Sequence, residues 1–363
     1  MEHQFRTGRG RFTVGIEEEL MILDGATLDL ASAIDVLMEP GDANAVKPEL
    51  HQAVLEIATE PAADVTDAGA QLRRLRATVR DRAHAHGLRL GAAGTHPSAR
   101  WEEQLISSSE RYRELIDRLG FVARQEVIFG QHVHVAVDDP ETAITVANGL
   151  RGYVPVLLAM AANSPFWMGQ DTGMASARTP IFRQFPRVGI PPRYAGWEDW
   201  QRRIAFMQRA GMIEDHTWFW WDVRIAPTHG TVEVRAMDTQ TRVDHAIGFA
   251  ALVQALVRQL AEDGEAPGDA PDEILGENKW RAARYGLEGE LVDLPSADRV
   301  PAVDLARRVL DRAREHAADL GAADALAALD ELLEAGNGAM RQRRVYAANH
   351  DFAELLGHLA DAT

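Results

Sequence analysis

The sequence predicts an α+β fold with a largely antiparallel sheet of about six strands, flanked by helices and followed by a helical C-terminal region. Three observations predict it. Six segments are rich in β-branched and aliphatic residues with period-two alternation. The connections between them mix short turns with long helical stretches, against a strict βαβ repeat. After Arg242 the pattern turns helical and stays so to about residue 361.

The elements follow in order. Residues 12–23, "FTVGIEEELMIL", read as the first strand and 51–58 as the second. A helix spans 64–86, opened by Asp64 as a capping residue and stopped at Gly87. Strand 88–94 follows, then a helix over 108–120 with serines at its start and Gly120 at its end. Strand 126–137 precedes a helix over 140–162, begun by "DDPE". Residues 163–197, rich in Gly, Pro, Ser and Thr, read as a long ordered loop, a length that compact domains usually keep for function. Strands 217–225 and 231–237 complete the sheet, and a helix runs from 243 to about 261. The segment "EDGEAPGDAP" at 262–271 reads as an exposed linker, and 272–361 as almost wholly helical. Residues 1–263 are thus expected to form a sheet-and-helix domain, with 264–363 packed on it as part of one unit.

Composition narrows the function. The 363 residues carry 55 acidic against 38 basic side chains, a net charge of −17, which speaks against a nucleic-acid partner held through phosphates. No apolar run approaches the length of a bilayer span, and neither a secretory leader nor a cysteine is present, so a cytoplasmic protein is expected. Only Lys47 and Lys279 are lysines, which leaves anion binding to arginine.

The first strand carries three glutamates. Residues two apart on a strand share a face, so Glu17 and Glu19 point one way and Glu18 the other, where it is expected to be dispensable. Two carboxylates on one face repel unless a cation lies between them, and hard divalent ions such as Mg²⁺ take oxygen ligands. The oddity recurs. Glu49 and Glu56 lie in "VKPELHQAVLEIAT", His132 and His134 share one face of "FGQHVHVAV", and Glu233 alternates with Arg235 in "TVEVRAM". Each alone is an unremarkable surface or ion-pair pattern; four together describe a polar funnel lined by a sheet. No GxxxxGK[ST] or strand-linked GxGxxG loop is present to cradle phosphates, so carboxylate-held ions and arginines would have to do so.

The motifs "GIEEE", "VLEI", "GQHVHV", "NSPFWMGQDTGMASAR", "TVEVRAMDTQ" and "ENKWRAARYG", in this order over residues 12–290, resemble the carboxylate-amine ligases of glutamate-cysteine ligase family 2. That resemblance implies a glutamine synthetase-like catalytic fold, a curved sheet whose concave face takes ATP, two or three Mg²⁺ (or Mn²⁺) and an amino acid. It implies metal ligands at Glu17, Glu19, Glu49, Glu56, His132 and Glu233, and catalytic arginines at Arg235 and Arg178. Weaker implications are nucleotide contacts by Arg224, Arg183, Lys279 and Arg281. Thr231 departs from the family-like RxExR pattern, standing where its first arginine would be. The implied reaction forms an acyl phosphate on a carboxylate, glutamate in the first instance, which an amine such as cysteine then attacks, with the 163–197 loop as a lid. A homodimer is implied too. The alternatives are a guanidino or carboxylate phosphotransferase on the same fold, and a non-catalytic ligand sensor.

Overall fold

The computed structural model of the chain describes residues 4–8, 10–42, 44–264 and 270–363. Its centre is a seven-stranded sheet: β1 (Val14–Asp24), β2 (Val46–Pro48), β3 (Val54–Ala58), β4 (Leu88–Gly91), β5 (Gly130–Ala136), β6 (Val223–Ala226) and β7 (Thr231–Asp238). The strand order is β6-β7-β5-β1-β3-β2, with β4 beside the far half of β1, and every pairing is antiparallel. The expected fold class holds, with β2 as a strand too short for periodicity to reveal.

The two faces of β1 differ as alternation requires. Val14, Ile16, Glu18 and Leu20 are fully buried, whereas Gly15, Glu17 and Glu19 are half-buried and face a cavity. On the buried side lie Val65–Ala85, capped by the Asp64 carboxylate accepting from Asp67 N, and Val243–Asp263. Leu72, Val79, Phe249 and Leu256 from these helices join Ile16, Leu20, Val133 and Val234 of the sheet in one hydrophobic cluster. Helices Ala302–Ala317 and Ala323–Ala335 pack on Val243–Asp263 and add Leu310, Leu326 and Leu329 to that cluster.

Glu18 is a correction. It faces away from the cavity as expected, yet it is fully buried and bonded to Arg76, so it is a structural residue rather than a dispensable one.

Other differences have local causes. The expected 140–162 helix breaks into Pro140–Leu150 and Val154–Ala161, bent by 62° at a break holding Gly152, with Pro155 restarting the helix. No single described helix is long and apolar enough to cross a membrane. The 163–197 loop contains a short helix, Arg178–Phe182, and is followed by an unexpected helix, Trp197–Arg209, whose signals were Glu198 and Asp199 in the first turn and Arg209 in the last. Strand 217–225 shortens to β6, because Trp220–Trp221 pairs instead with Val188–Gly189. The C-terminal region is interrupted by a hairpin, Glu290–Val292 with Arg299–Pro301. Residues 265–269 of the expected linker lie outside the described residues.

Candidate active site

The cavity-facing side chains of β1, β3, β5 and β7 converge because the strand registers align them. Glu17 is opposite His132 on β5, Glu19 is opposite Glu56 on β3, and Glu233 of β7 is opposite His134 on one side and Arg224 of β6 on the other. A cavity of about 410 Å³ collects Glu17, Glu19, Glu49, Glu56, His132, Arg178, Arg224 and Arg235. Eight of the twelve residues singled out in the sequence therefore line one space. Glu233 lies beneath it, fully buried, and meets it through Arg224 and Arg235.

Two ligand sets stand out. One oxygen each from Glu19, Glu49 and Glu56 lie within 4.8 Å of one another, and so do a ring nitrogen of His134 and one oxygen each from Glu17 and Glu233. Burial together with Glu56 raises Glu19 to about 7, even though Arg178 opposes the shift. Burial, Glu56 and Glu19 push Glu49 well above the usual carboxylate range. Three crowded carboxyls that resist ionising are what a divalent cation would relieve, and an all-oxygen set suits a hard ion such as Mg²⁺ or Mn²⁺. The residues present therefore fit the metal.

The second set has the opposite electrostatics. Burial would raise Glu17, but His134 and His132 hold it well below its usual range. Glu233 likewise stays ionised despite burial, because Arg224 and Arg235 flank it. Arg224 donates from Nε and Nη2 to the two Glu233 oxygens at 2.6 and 3.1 Å, and Arg235 Nη1 donates at 2.5 Å. Arg224 thus supplies, from the neighbouring strand, the cation that Thr231 does not. The Thr231 hydroxyl instead lies 3.0 Å from His134 Nδ1.

The histidine expectation changes. His134, not His132, completes the compact set with Glu17 and Glu233. His132 places Nδ1 3.4 Å from Glu17 and 3.5 Å from Arg235, and burial with Arg235 lowers it to about 4. Its Nε2 is buried without a hydrogen-bond partner, so it too keeps a donor atom for a ligand.

Arg178 is held by a buried network. Asp238 accepts from Asn163 N at 2.8 Å, Ser164 Oγ at 2.6 Å and Ser176 Oγ at 2.9 Å, and Ser164 Oγ accepts from Arg178 N at 3.2 Å. The guanidinium then passes over Gly130, where a Cβ would lie 2.3 Å from Nη2. Only glycine leaves that path open.

Three expected nucleotide contacts are not brought to this cavity. Arg183 donates to Val188 O, and Lys279 is bonded to both oxygens of Asp222; both line a separate cavity of about 330 Å³. Arg281 donates to Glu290 O at 2.6 Å beside Glu277 and Glu290. Conversely, Lys47, Tyr112 and Glu126 line the site unannounced. Lys47 Nζ is 2.8 Å from Glu56, and burial pushes Glu126 well above its usual range. The alternation of the expected strand 126–137 is the available signal for Glu126, which stands in step with Ile128, Gly130, His132 and His134 although the strand itself begins only at Gly130.

Fold, cavity and the family comparison agree on a ligase of the glutamate–cysteine ligase type, one that forms carbon–nitrogen bonds. The model of the glutamate-cysteine ligase family 2 matches residues 13–358, and the chain belongs to that family. It is 43% identical to a protein of Rubrobacter xylanophilus provisionally named glutamate–cysteine ligase 2-1, covering 100% of this chain and 98% of that one. A Sorangium cellulosum protein with the provisional name glutamate–cysteine ligase 2 is 39% identical over 97% of this chain and 96% of its own. Among solved structures, the glutamate–cysteine ligase of Francisella tularensis in complex with AMP matches with a TM-score of 0.72 at 15% identity, over 97% of this chain and 88% of that chain. A bifunctional glutathione synthetase from Pasteurella multocida matches at 0.70 and 14% identity, over 97% of this chain and 52% of its own.

Proposed function

We propose that the protein is an ATP-dependent carboxylate–amine ligase that activates a carboxylate, the γ-carboxylate of glutamate in the first instance, as an acyl phosphate and transfers the acyl group to an amine. The observation that carries this reading is the union of two potential metal-ligand sets and three arginines on one face of the sheet, around one cavity. Glu19, Glu49 and Glu56 would hold one Mg²⁺ or Mn²⁺, and Glu17 and Glu233 with His134 or His132 a second. When bound, such ions act as Lewis acids on phosphoryl oxygens and offset their charge.

The chain's own residues do the rest. Arg235 and Arg178 converge on the cavity and would spread the negative charge that develops as the γ-phosphoryl group moves. Arg224 keeps Glu233 ionised and aimed. The aromatic wall of Trp218, Trp220, Phe182 and Phe185 would take the nucleotide base and exclude water, which an acyl phosphate must not meet. Matches to ligases favour this reading over the phosphotransferase alternative. Glutamate as the carboxylate, cysteine as one amine and a homodimer are carried by the family resemblance, and a cytoplasmic setting by the composition of the sequence.

Hydroxylamine trapping tests it. Purified protein with ATP, Mg²⁺ and glutamate should yield γ-glutamyl hydroxamate; no hydroxamate across a panel of amino-acid and dicarboxylic acids would remove the acyl phosphate.

A further inference from the structure

A second cavity adjoins the first on this face of the sheet. Of about 320 Å³, it opens at the level of Gly15 and Thr231, and it shares Glu17, Lys47 and His229 with the first. The registers set the two end to end. Moving along β1 from Glu19 to Gly15 passes from the level of Glu56 to that of His134. The Glu17, His134 and Glu233 set therefore stands at the boundary between the two spaces.

We propose that the second cavity is the binding site of the amine substrate, and that it selects a primary amine without an α-carboxylate. The proposal rests on the ligase reading above and names the substrate class of its second half-reaction. An acyl phosphate presents its phosphate to one side and takes the nucleophile from another, which two joined cavities provide. The arginines of the site, Arg178, Arg224 and Arg235, all line the first cavity. Among the described residues lining the second there is no arginine.

Recognition of a carboxylate ordinarily uses the guanidinium fork. The one ammonium here, Lys47 Nζ, is 2.8 Å from Glu56. What the second cavity offers instead is Glu60, exposed at the mouth, and the hydroxyls of Thr59 and Thr231, with the imidazoles of His134 and His229 beside them and Glu17 turned to the metal set at the boundary. Gly15 makes the room. A Cβ placed there would meet only His134 Cβ, at 3.9 Å, so a larger side chain enters the cavity without a backbone clash.

The chemistry balances without another reactant. The ammonium gives one proton to water at the open mouth, and the nitrogen lone pair attacks the acyl carbon. The C–N bond forms as the C–O bond to phosphate breaks. The departing phosphate takes the electron pair and the second N–H proton.

Matched amines test the proposal: cysteamine against cysteine, and ethylamine against alanine, with ATP, Mg²⁺ and glutamate held fixed. The kcat/KM for cysteamine should exceed that for cysteine at least tenfold; parity or a preference for cysteine overturns the selectivity. Gly15→Val should raise the amine KM tenfold or more while the ATP KM stays within twofold, and an unchanged amine KM overturns the location. Should Gly15→Val fail to fold, the exposed Glu60→Lys should lower kcat/KM for cysteamine and raise it for cysteine; no change in that ratio counts against the proposal. If hydroxamate forms but the preference runs to cysteine, this inference alone falls. Absence of both hydroxamate and amine-dependent ADP release removes the ligase reading and this inference together.

Discussion

Glu18 and Arg76 form a buried two-pronged ion pair, with Nε donating to Oε2 at 2.8 Å and Nη2 to Oε1 at 2.7 Å. Arg76 also donates to Thr241 O at 2.8 Å and Gln240 O at 2.7 Å, which ties helix Val65–Ala85 to β1 and to the chain after β7. Removing one member leaves the other charged and buried, at a cost of roughly 3–5 kcal/mol. Glu18→Ala should therefore lower the urea midpoint strongly, and pairing Glu18→Leu with Arg76→Met should recover much of the loss. A Glu18→Ala protein of unchanged midpoint would contradict this role.

The metal ligand sets predict a different outcome for their own glutamates. Glu19→Gln and Glu233→Gln should each lower turnover by more than about 100-fold. Circular dichroism should stay near wild type in both, while Glu233→Gln, which leaves Arg224 and Arg235 buried beside a neutral amide, should also lower the unfolding midpoint. Calorimetry should show Mg²⁺ binding weakened in both.

The path of Arg178 over Gly130 gives a sharper perturbation. Gly130→Ala places a methyl group 2.3 Å from Arg178 Nη2, and the flexible guanidinium, not the backbone, has to yield. A displacement of about 1 Å at a charge-stabilising group can cost 100-fold in rate. Turnover should fall by one to two orders of magnitude, with the unfolding midpoint within a few degrees of wild type.

His245 supplies a pH dependence remote from the acid clusters. Burial, with Arg341 and Arg242 nearby, lowers it to about 4 from the ordinary 6.5. Between those values the unfolded chain binds a proton that the folded one refuses, so its contribution is present above 6.5 and is lost as pH falls toward 4. His245→Asn should remove roughly 1–3 kcal/mol of that acid sensitivity, read as a shallower fall in unfolding free energy between pH 7 and 4.5.

What the sequence made legible was parity, and what it hid was pairing. Alternation along "GIEEEL" put Glu17 and Glu19 on the cavity side and Glu18 behind, as found. Alternation cannot reveal that Arg76, 58 residues on, waits on the far side, and that partner is what makes Glu18 structural. His132 and His134 were placed on the same face, but only the register of β5 between β1 and β7 distinguishes the one that closes a set with Glu17 and Glu233. Lys279, Arg183 and Arg281 resembled nucleotide contacts because their motifs did. Their charges are engaged by Asp222, the Val188 carbonyl and Glu290, partners that no local pattern announces.

In the proposed reaction, acyl activation and amide formation occur in sequence at this one site. The most direct measurement follows ADP and amide together, by coupled assay and mass spectrometry, with ATP, Mg²⁺, glutamate and a panel of amines. ADP and amide should form in a one-to-one ratio, and both should be lost in Glu233→Gln. ADP released without amide for every amine tested, or amide formation that survives Glu233→Gln at the wild-type rate, would contradict it.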